Sequence, residues 1–343
     1  TTADSKVVLV NSINLNSGSP NGTRTFTVRA GIGGADATSA ELRGVVSNSP
    51  GFDNGIKKEG DGMLILSATN TYTGPTIVNG GTVQIGAGGT TGSIAAAGTI
   101  TVANGAILAF NRSDALTIGN AITGAGSVLQ VGGGTTLLTN GNTFTGGTTV
   151  SGGTLLANNG TGSATGTGDV LVEAGATLGG TGTISGNTSL AGTATLTGGT
   201  VTDVGTLTFG GDLTTAGGST WLINLVQDTT MMSDLIQVQG TGATLAISGS
   251  ILNLVTTGSF SVGNTYTIAN YSSRTGFFSG LNEGDLISGY QINYGNGTNG
   301  AITLTAVPEP ATVIFLLVLG LPVWWWVHPR YVKRRAHCGG GAQ

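Results

Sequence analysis

The sequence predicts an all-β protein: a right-handed parallel β-helix (β-solenoid) with a single C-terminal transmembrane helix. Three observations predict this fold. Glycine accounts for 63 of 343 residues and charged residues for only 8%, which favours short strands joined by glycine turns. A 15-residue segment recurs 72 residues further along the chain, and self-similarity at a fixed period is typical of stacked coils. Near the C-terminus, residues 311–327 carry no charge.

The recurring segment consists of short strands between glycine corners. Asn70–Gln84 reads NTYTGPTIVNGGTVQ and Asn142–Leu156 reads NTFTGGTTVSGGTLL, with nine of fifteen positions identical. Alternation places the apolar side chains on one face, and stacked coils can bury that face where a single run cannot. With about three coils per repeat, each coil has roughly 23 residues, and about thirteen coils extend over roughly 60 Å. A β-sandwich array remains the alternative, because periodicity alone does not fix the strand order.

These residues resemble the autotransporter-associated β-strand repeat, also called the passenger-associated transport repeat. The matching motifs are Gly62–Val83 and Gly134–Leu155, and Pro75 departs from the second glycine of the pattern. The resemblance implies a β-solenoid over residues 1–204. Strands lengthen from residue 205 onward, so residues 205–306 are predicted to form a capping region, since an open last coil would expose unpaired edges.

The charges are unevenly placed along the chain. Residues 1–327 contain 16 acidic and 8 basic residues, a balance of −8, and no Lys or Arg lies between Ser113 and Ser273. Such a surface lacks the clustered cations that nucleic acid requires, so nucleic acid is excluded as a partner. The single cysteine, Cys338, rules out a disulfide framework. Because the chain begins with Thr1 rather than Met, we expect a cleaved leader or a truncated N-terminus.

The C-terminal part of the chain predicts a single membrane span. The uncharged run 311–327 reaches the minimum length for crossing the hydrocarbon core. Trp324–Trp326 suit the membrane interface, and the basic residues that follow suit the cytoplasmic side. The predicted orientation therefore places the body outside the inner membrane.

A motif upstream of this span indicates how the protein is delivered. Pro308, Glu309 and Pro310 precede the apolar run, and an arginine-rich end follows it, formed by Arg330, Arg334 and Arg335. This order resembles the PEP-CTERM sorting signal, over residues 307–335, with a short tail at 336–343. The resemblance implies a Gram-negative bacterial protein that is held in the inner membrane and recognised by an exosortase-type processing enzyme. It is then released to the cell surface or the exopolysaccharide matrix.

The sequence predicts no catalytic, cofactor-binding or metal-binding residue. Histidine occurs only at His328 and His337, beyond the apolar run, which excludes a Ser/His/Asp triad and a His-ligated zinc site from the body. Gly295–Gly300 fits a dinucleotide-binding pattern, but a strand rather than a helix follows, so a turn is predicted. Gly166–Asp169 matches a calcium-binding β-roll only in part, and Asp169 is predicted to be a solvated turn residue.

Two pairs of carboxylates leave an enzymatic alternative open. Asp203 with Asp212, or Asp228 with Asp234, have spacings that would let them meet on one face and hydrolyse a glycoside. The favoured function is a non-enzymatic adhesin or structural scaffold at the cell surface or in the matrix, and the alternative is a polysaccharide-active lyase or hydrolase. Tyr72 and Phe144 are candidates for stacking on sugars, although their equivalent places in a repeat favour packing between coils.

Overall fold

The computed structural model describes residues 6–16, 22–29, 39–95, 97–227, 231–259, 261–295 and 298–308. Every regular element in these ranges is a β-strand, which confirms the all-β prediction. Within them, no helix has the length and apolar character that a membrane crossing requires. The predicted span 311–327 lies outside the described residues.

The strands of the first half are short and follow one another at close intervals. They are β1 (Val7–Leu9), β2 (Ile13–Asn14), β3 (Thr23–Thr27), β4 (Ser39–Leu42), β5 (Val46–Ser47), β6 (Gly55–Glu59), β7 (Met63–Leu66), β8 (Thr76–Val78), β9 (Thr82–Ile85), β10 (Ile100–Val102), β11 (Ile107–Phe110), β12 (Ala115–Ile118), β13 (Ile122–Thr123), β14 (Ser127–Gln130), β15 (Thr135–Leu138), β16 (Thr148–Val150) and β17 (Thr154–Ala157).

The strands of the second half include several longer ones. They are β18 (Val170–Val172), β19 (Thr177–Gly180), β20 (Thr183–Ile184), β21 (Thr188–Leu190), β22 (Thr195–Thr197), β23 (Thr206–Phe209), β24 (Leu213–Thr215), β25 (Thr220–Gln227), β26 (Met232–Ser233), β27 (Leu235–Val238), β28 (Thr244–Ser248), β29 (Ile251–Gly258), β30 (Thr265–Phe277), β31 (Leu286–Ile287), β32 (Tyr290–Asn293) and β33 (Thr298–Ala306).

Strands of successive coils pair in parallel and form ladders along a rod. Ladder 1 contains β1, β4, β7, β9, β11, β14, β16, β18, β21, β24, β28 and β30. Ladder 2 contains β3, β6, β8, β10 and β13. Ladder 3 contains β12, β15, β17, β19, β22, β25 and β29. The twelve described rungs of ladder 1 span roughly 53 Å at about 4.8 Å per step.

This pairing confirms a parallel β-solenoid and not a sandwich array, whose sheets would be antiparallel. The right-handed sense of the coil stays a prediction. Alternate residues of each strand point into the rod, as in β12, where Leu116 and Ile118 are buried and Ala115 and Thr117 are exposed. These inward side chains form one continuous apolar core that runs from Leu15 to Ala306.

The repeat requires glycine at one corner for two separate reasons. Gly81 and its equivalent Gly153 have φ angles of +60° and +58°, where other residues are strained. A Cβ atom on Gly81 would also lie 2.2 Å from the carbonyl oxygen of Gly62, and one on Gly153 would lie 2.3 Å from that of Gly134. The chain of the preceding coil passes too close for any side chain at this position.

The two motif copies do not stack on one another. Thr82 lies in ladder 1, whereas its equivalent Thr154 lies in ladder 3. The steps Thr82 to Ile107, Ile107 to Ser127, and Val128 to Thr148 take 25, 20 and 20 residues. Three coils thus take 65 residues here, fewer than the 72 residues that separate the two motif copies. The remaining seven residues of the 72-residue offset rotate the second copy onto the next face of the rod.

At the C-terminal end the pairing changes from parallel to antiparallel. β30 pairs with β33, β33 with β32, and β32 with β31, all antiparallel. The inner side of this cap is aromatic, with the Trp221 and Phe278 rings 5.2 Å apart in an edge-on arrangement. The boundary between solenoid and capping region at residues 204 and 205 stays a prediction.

The first asparagine of each motif links three successive coils. Asn142 accepts a hydrogen bond from the Ile122 backbone nitrogen at 2.8 Å and donates to the Ala164 carbonyl oxygen at 2.6 Å. Asn70 makes the same pair of contacts in the first copy, at 2.8 Å and 2.7 Å. Both asparagines are buried, so these contacts satisfy backbone groups that water cannot reach.

We therefore expect Asn142→Ala to lower the free energy of unfolding by about 2–4 kcal/mol, because it leaves one buried N–H and one buried C=O unpaired. Denaturant unfolding monitored by circular dichroism measures this change. The control is Asn140→Ala, since Asn140 is exposed and bonds only to the Gly119 carbonyl oxygen. Equal effects of the two substitutions would contradict the stabilisation of neighbouring coils by the Asn142 hydrogen bonds.

Candidate functional site

The residues of the predicted sorting motif lie at the edge of the described structure. Pro308 follows the last strand by two residues and is half-buried. Glu309, Pro310, Arg330, Arg334 and Arg335 lie outside the described residues, so their role stays a prediction.

The two acids of the first candidate pair make separate hydrogen bonds. Asp203 accepts a hydrogen bond from Thr200 Oγ1 at 2.8 Å within its own turn. Asp212 accepts one from the Thr244 backbone nitrogen at 2.8 Å, in the next coil. Both side chains are exposed, and each carboxylate serves a local turn or an inter-coil contact.

The second candidate pair contains a buried structural carboxylate. Asp234 is fully buried, and its oxygens accept hydrogen bonds from Thr197 Oγ1, from the Gly205 backbone nitrogen, and from the backbone and side-chain nitrogens of Asn224, at 2.9–3.1 Å. Burial raises the pKa of Asp234, although these four donors oppose the rise. The carboxylate joins β22, β23 and β25 inside the rod. Asp228 lies outside the described residues.

Two other sequence candidates occupy turns. Asp169 is exposed just before β18, in agreement with a solvated acid. Gly295, with a φ of +68°, leads from β32 towards β33, and these two strands pair antiparallel. The segment leads into a strand, as predicted, but its last three residues belong to β33 (Thr298–Ala306) and not to a turn. Residues 296–297 lie outside the described part of the chain. No cluster of three or more metal-ligating side chains occurs among the residues described.

The motif aromatics are part of the core. Tyr72 and Phe144 are 1% and 0% exposed, so neither can stack on a sugar, and the prediction of packing between coils is confirmed. The Tyr72 hydroxyl lies 2.7 Å from Thr76 Oγ1. Phe144 has no hydroxyl, and the equivalent Thr148 Oγ1 is buried without a hydrogen-bond partner.

Two buried charges in the first coils were not predicted from the sequence. Lys58 occupies an inward position in register with Val78. Its Nζ donates to the carbonyl oxygens of Gly60, Glu59 and Gly80 at 2.8–3.1 Å. Burial lowers the pKa of Lys58. The ammonium group thus satisfies corner carbonyls of adjacent coils, as the motif asparagines do elsewhere.

Glu41 is the other buried charge and lies beside the first rung. Its carboxylate is 2.6 Å from Lys6 Nζ and 3.1 Å from Arg43 Nε. Burial by itself raises the pKa of Glu41, but hydrogen bonds from Arg43, Lys6 and Ser67 outweigh it and lower the pKa to about 2. The cluster fixes β1 against β4.

The outward surface of the rod is polar and largely uncharged. On ladder 3, five successive rungs begin with an outward, half-exposed threonine at the same register position: Thr135, Thr154, Thr177, Thr195 and Thr220. The cation nearest the C-terminal end of the described rod is Arg274, whose guanidinium lies 4.8 Å from the Tyr294 ring centre. Such a surface is suited to hydrogen-bonded contacts more than to ionic ones.

A family of known repeats matches the two motif segments of this chain. The family model described as Passenger-associated-transport-repeat matches residues 56–85 and 129–157. The chain carries two segments of this repeat. The resemblance predicted from the motif is thereby confirmed on these segments.

The chain is also similar to a curated protein, the Adhesin BmaC autotransporter of Brucella suis biovar 1 (strain 1330). The two are 40% identical over 95 residues, which is 28% of this chain and 3% of that protein. The matched region is therefore a small part of that relative's length.

The same threonine-to-valine substitution should have opposite effects on stability in the two motif copies, because Tyr72 has a hydroxyl and Phe144 does not. Thr76→Val should lower the free energy of unfolding by about 1–2 kcal/mol, because it leaves the buried Tyr72 hydroxyl unpaired. Thr148→Val removes a hydroxyl that has no partner, so it should raise stability by about 0.5–1 kcal/mol. Denaturant midpoints of the two variants measure this difference. A loss of stability in both would show that Thr148 has a partner.

Because of Glu41, we expect the folded chain to lose stability in acid. Its pKa is lower in the folded chain than in the unfolded chain, so its contribution is complete above about pH 5 and is lost as the pH falls towards 2. Because Lys6 and Arg43 are partly exposed, we expect this contribution to be about 1–2 kcal/mol. Glu41→Gln should reduce the change of the unfolding free energy with pH between these two values. The control Glu59→Gln removes a half-exposed pair with Lys57 and should change the slope less. An equal change would contradict the prediction.

Proposed function

We propose that the chain is the exported rod of a Gram-negative cell-surface or exopolysaccharide-matrix protein, acting as an adhesin or structural scaffold without enzymatic activity. The observation that carries this proposal is that the motif side chains point into the core of the rod. Asn70, Tyr72, Asn142 and Phe144 all serve the core, so the repeat builds length and leaves the outer surface for contacts. Similarity to a protein named as an adhesin supports the same role.

The outer surface favours a hydroxyl-rich partner. Residues 1–327 carry a balance of −8, so anionic polymers and headgroups are repelled. The regular threonine positions of ladder 3 present hydroxyl donors and acceptors about 4.8 Å apart. A neutral polysaccharide of the matrix can pair with such a surface along its length.

Delivery is proposed to follow the PEP-CTERM route. Residues 307–335 would hold the chain in the inner membrane by a single span, until an exosortase-type enzyme releases the rod to the surface or matrix. Support comes from the position of the signal. The Val307 backbone nitrogen bonds to the Gly289 carbonyl oxygen at 3.0 Å, so the motif begins directly after the last described hydrogen bond of the antiparallel strands.

Cell fractionation with an antibody against the rod tests this function. The unaltered chain should be found at the surface or in the matrix, whereas a Pro308→Ala, Glu309→Ala, Pro310→Ala variant should remain in the inner membrane. A matched triple alanine variant of the turn residues Thr200, Thr202 and Asp203, of which Thr200 is half-buried and the other two are exposed, should be released normally.

Two results would contradict the proposal. Retention of both variants in the same fraction would refute sorting by this motif. Release of new reducing ends from a polysaccharide by the purified chain, abolished by Asp203→Asn or Asp212→Asn, would refute the non-enzymatic role and favour a hydrolase.

A further inference from the structure

β29 is an edge strand at the C-terminal end of ladder 3. It pairs in parallel with β25 over all eight of its residues, from Ile251 to Gly258. Within the described part of the chain, no strand pairs with its other edge. Ladder 1 is different, because its last strand, β30, continues into the antiparallel cap. The cap therefore closes ladder 1. It meets the free side of ladder 3 just before β29, where the Ser279 backbone nitrogen donates to the Ser250 carbonyl oxygen at 2.8 Å, and from Ile251 onward no described strand pairs with this edge.

The backbone groups on the open edge can be assigned to particular residues. The Ile251 nitrogen donates to the Ser219 carbonyl oxygen at 2.7 Å, so Ile251, Asn253 and Val255 direct their backbone groups towards β25. In a parallel strand the intervening residues direct theirs to the opposite side. The N–H and C=O groups of Leu252 and Leu254 consequently point to the open edge.

This edge lacks the two sequence features that most often prevent pairing between molecules. Residues 251–258 contain no charge and no proline, which are the common protections of edge strands. Ile251 and Val255 are 49% and 39% exposed. The edge at the other end of ladder 1 differs, because Lys6 and Glu41 place an ion pair beside β1.

The first five residues of this edge strand have the same chemical character when read in either direction. Ile251-Leu252-Asn253-Leu254-Val255 is a chemical palindrome about Asn253. A two-fold interface requires a self-complementary surface, and antiparallel pairing of this strand with itself provides one. Outward Ile251 then faces Val255 of the second copy, Asn253 faces Asn253, and Leu252 faces Leu254 on the core side.

We propose that β29 is the self-association surface of this protein and that its occupant is β29 of a second copy, antiparallel about a two-fold axis at Asn253. Leu252 and Leu254 of the two chains then form two hydrogen-bonded pairs, with four backbone bonds across the interface. Asn253 and its symmetry mate form a non-hydrogen-bonded pair, whose Cα atoms are about 4.5 Å apart. Ladder 3 continues from one rod into the next.

Disulfide trapping tests the register. In a Cys338→Ser background, Asn253→Cys should give a disulfide-linked dimer under mild oxidation, because its separation across the axis suits a disulfide. The control is Thr177→Cys, an outward, half-exposed position on the same ladder but away from the edge. Equal yields of dimer from the two variants, or none from Asn253→Cys, would overturn the proposed register.

Sedimentation of the full chain in a mild non-ionic detergent tests the surface itself. Val255→Lys should raise the dimer dissociation constant at least about tenfold, because it sets a cation against Ile251 of the partner on each side of the axis. Leu171→Lys is the matched control, since Leu171 is 41% exposed on the outer face of ladder 1, and it should dimerise like the unaltered chain. A dimer unaffected by Val255→Lys, as expected if the apolar run 311–327 caused association, or a monomer at all concentrations, would overturn the proposal.

Discussion

The structure depends on one constraint: each coil must satisfy the backbone hydrogen bonds of the coils on either side while its inward side chains fill a shared core. A spacing of about 4.8 Å leaves no room for side chains where the chain turns back under its neighbour. Gly81 and Gly153 meet this limit at equivalent corners. Elsewhere the corners leave backbone groups unpaired, and the side chains of Asn70, Asn142 and Lys58 supply the missing partners.

The same constraint explains why the repeat carries so little chemistry. Its distinctive residues are those that coil stacking requires, and the structure turns them inward. A binding motif would gain by repeating on one face, where several copies could contact one ligand. Thr82 and Thr154 instead lie on different faces, which is acceptable for a packing motif. The outward residues, free of these demands, are where contacts with partners can be made.

Local sequence features predicted the fold and the burial of Tyr72 and Phe144, because alternation and glycine corners act over a few residues. The rotation between motif copies was not predictable, since it depends on the lengths of turns summed over three coils. Asp234 was grouped with the candidate acids because its spacing from Asp228 is visible in the sequence. Its four donors come from segments up to 37 residues away, and no local pattern reveals them. Glu41 escaped notice because Lys6 meets it only through the parallel register.

The two ends of the described rod differ physically. At the first coil, charges at Lys6, Glu41 and Arg43 accompany the edge strand. At the last coils, antiparallel strands turn the sheet back, and Arg274 packs over the Tyr294 ring. In the described part of the chain, the last strand of ladder 3, the uncharged β29, has neither an ion pair nor an antiparallel partner. In a rod whose interior is shared by all coils, each added coil repeats the same pairing. Among the described strands, the edge that remains unpaired after the last coil is therefore where we expect the same pairing to continue into a second copy.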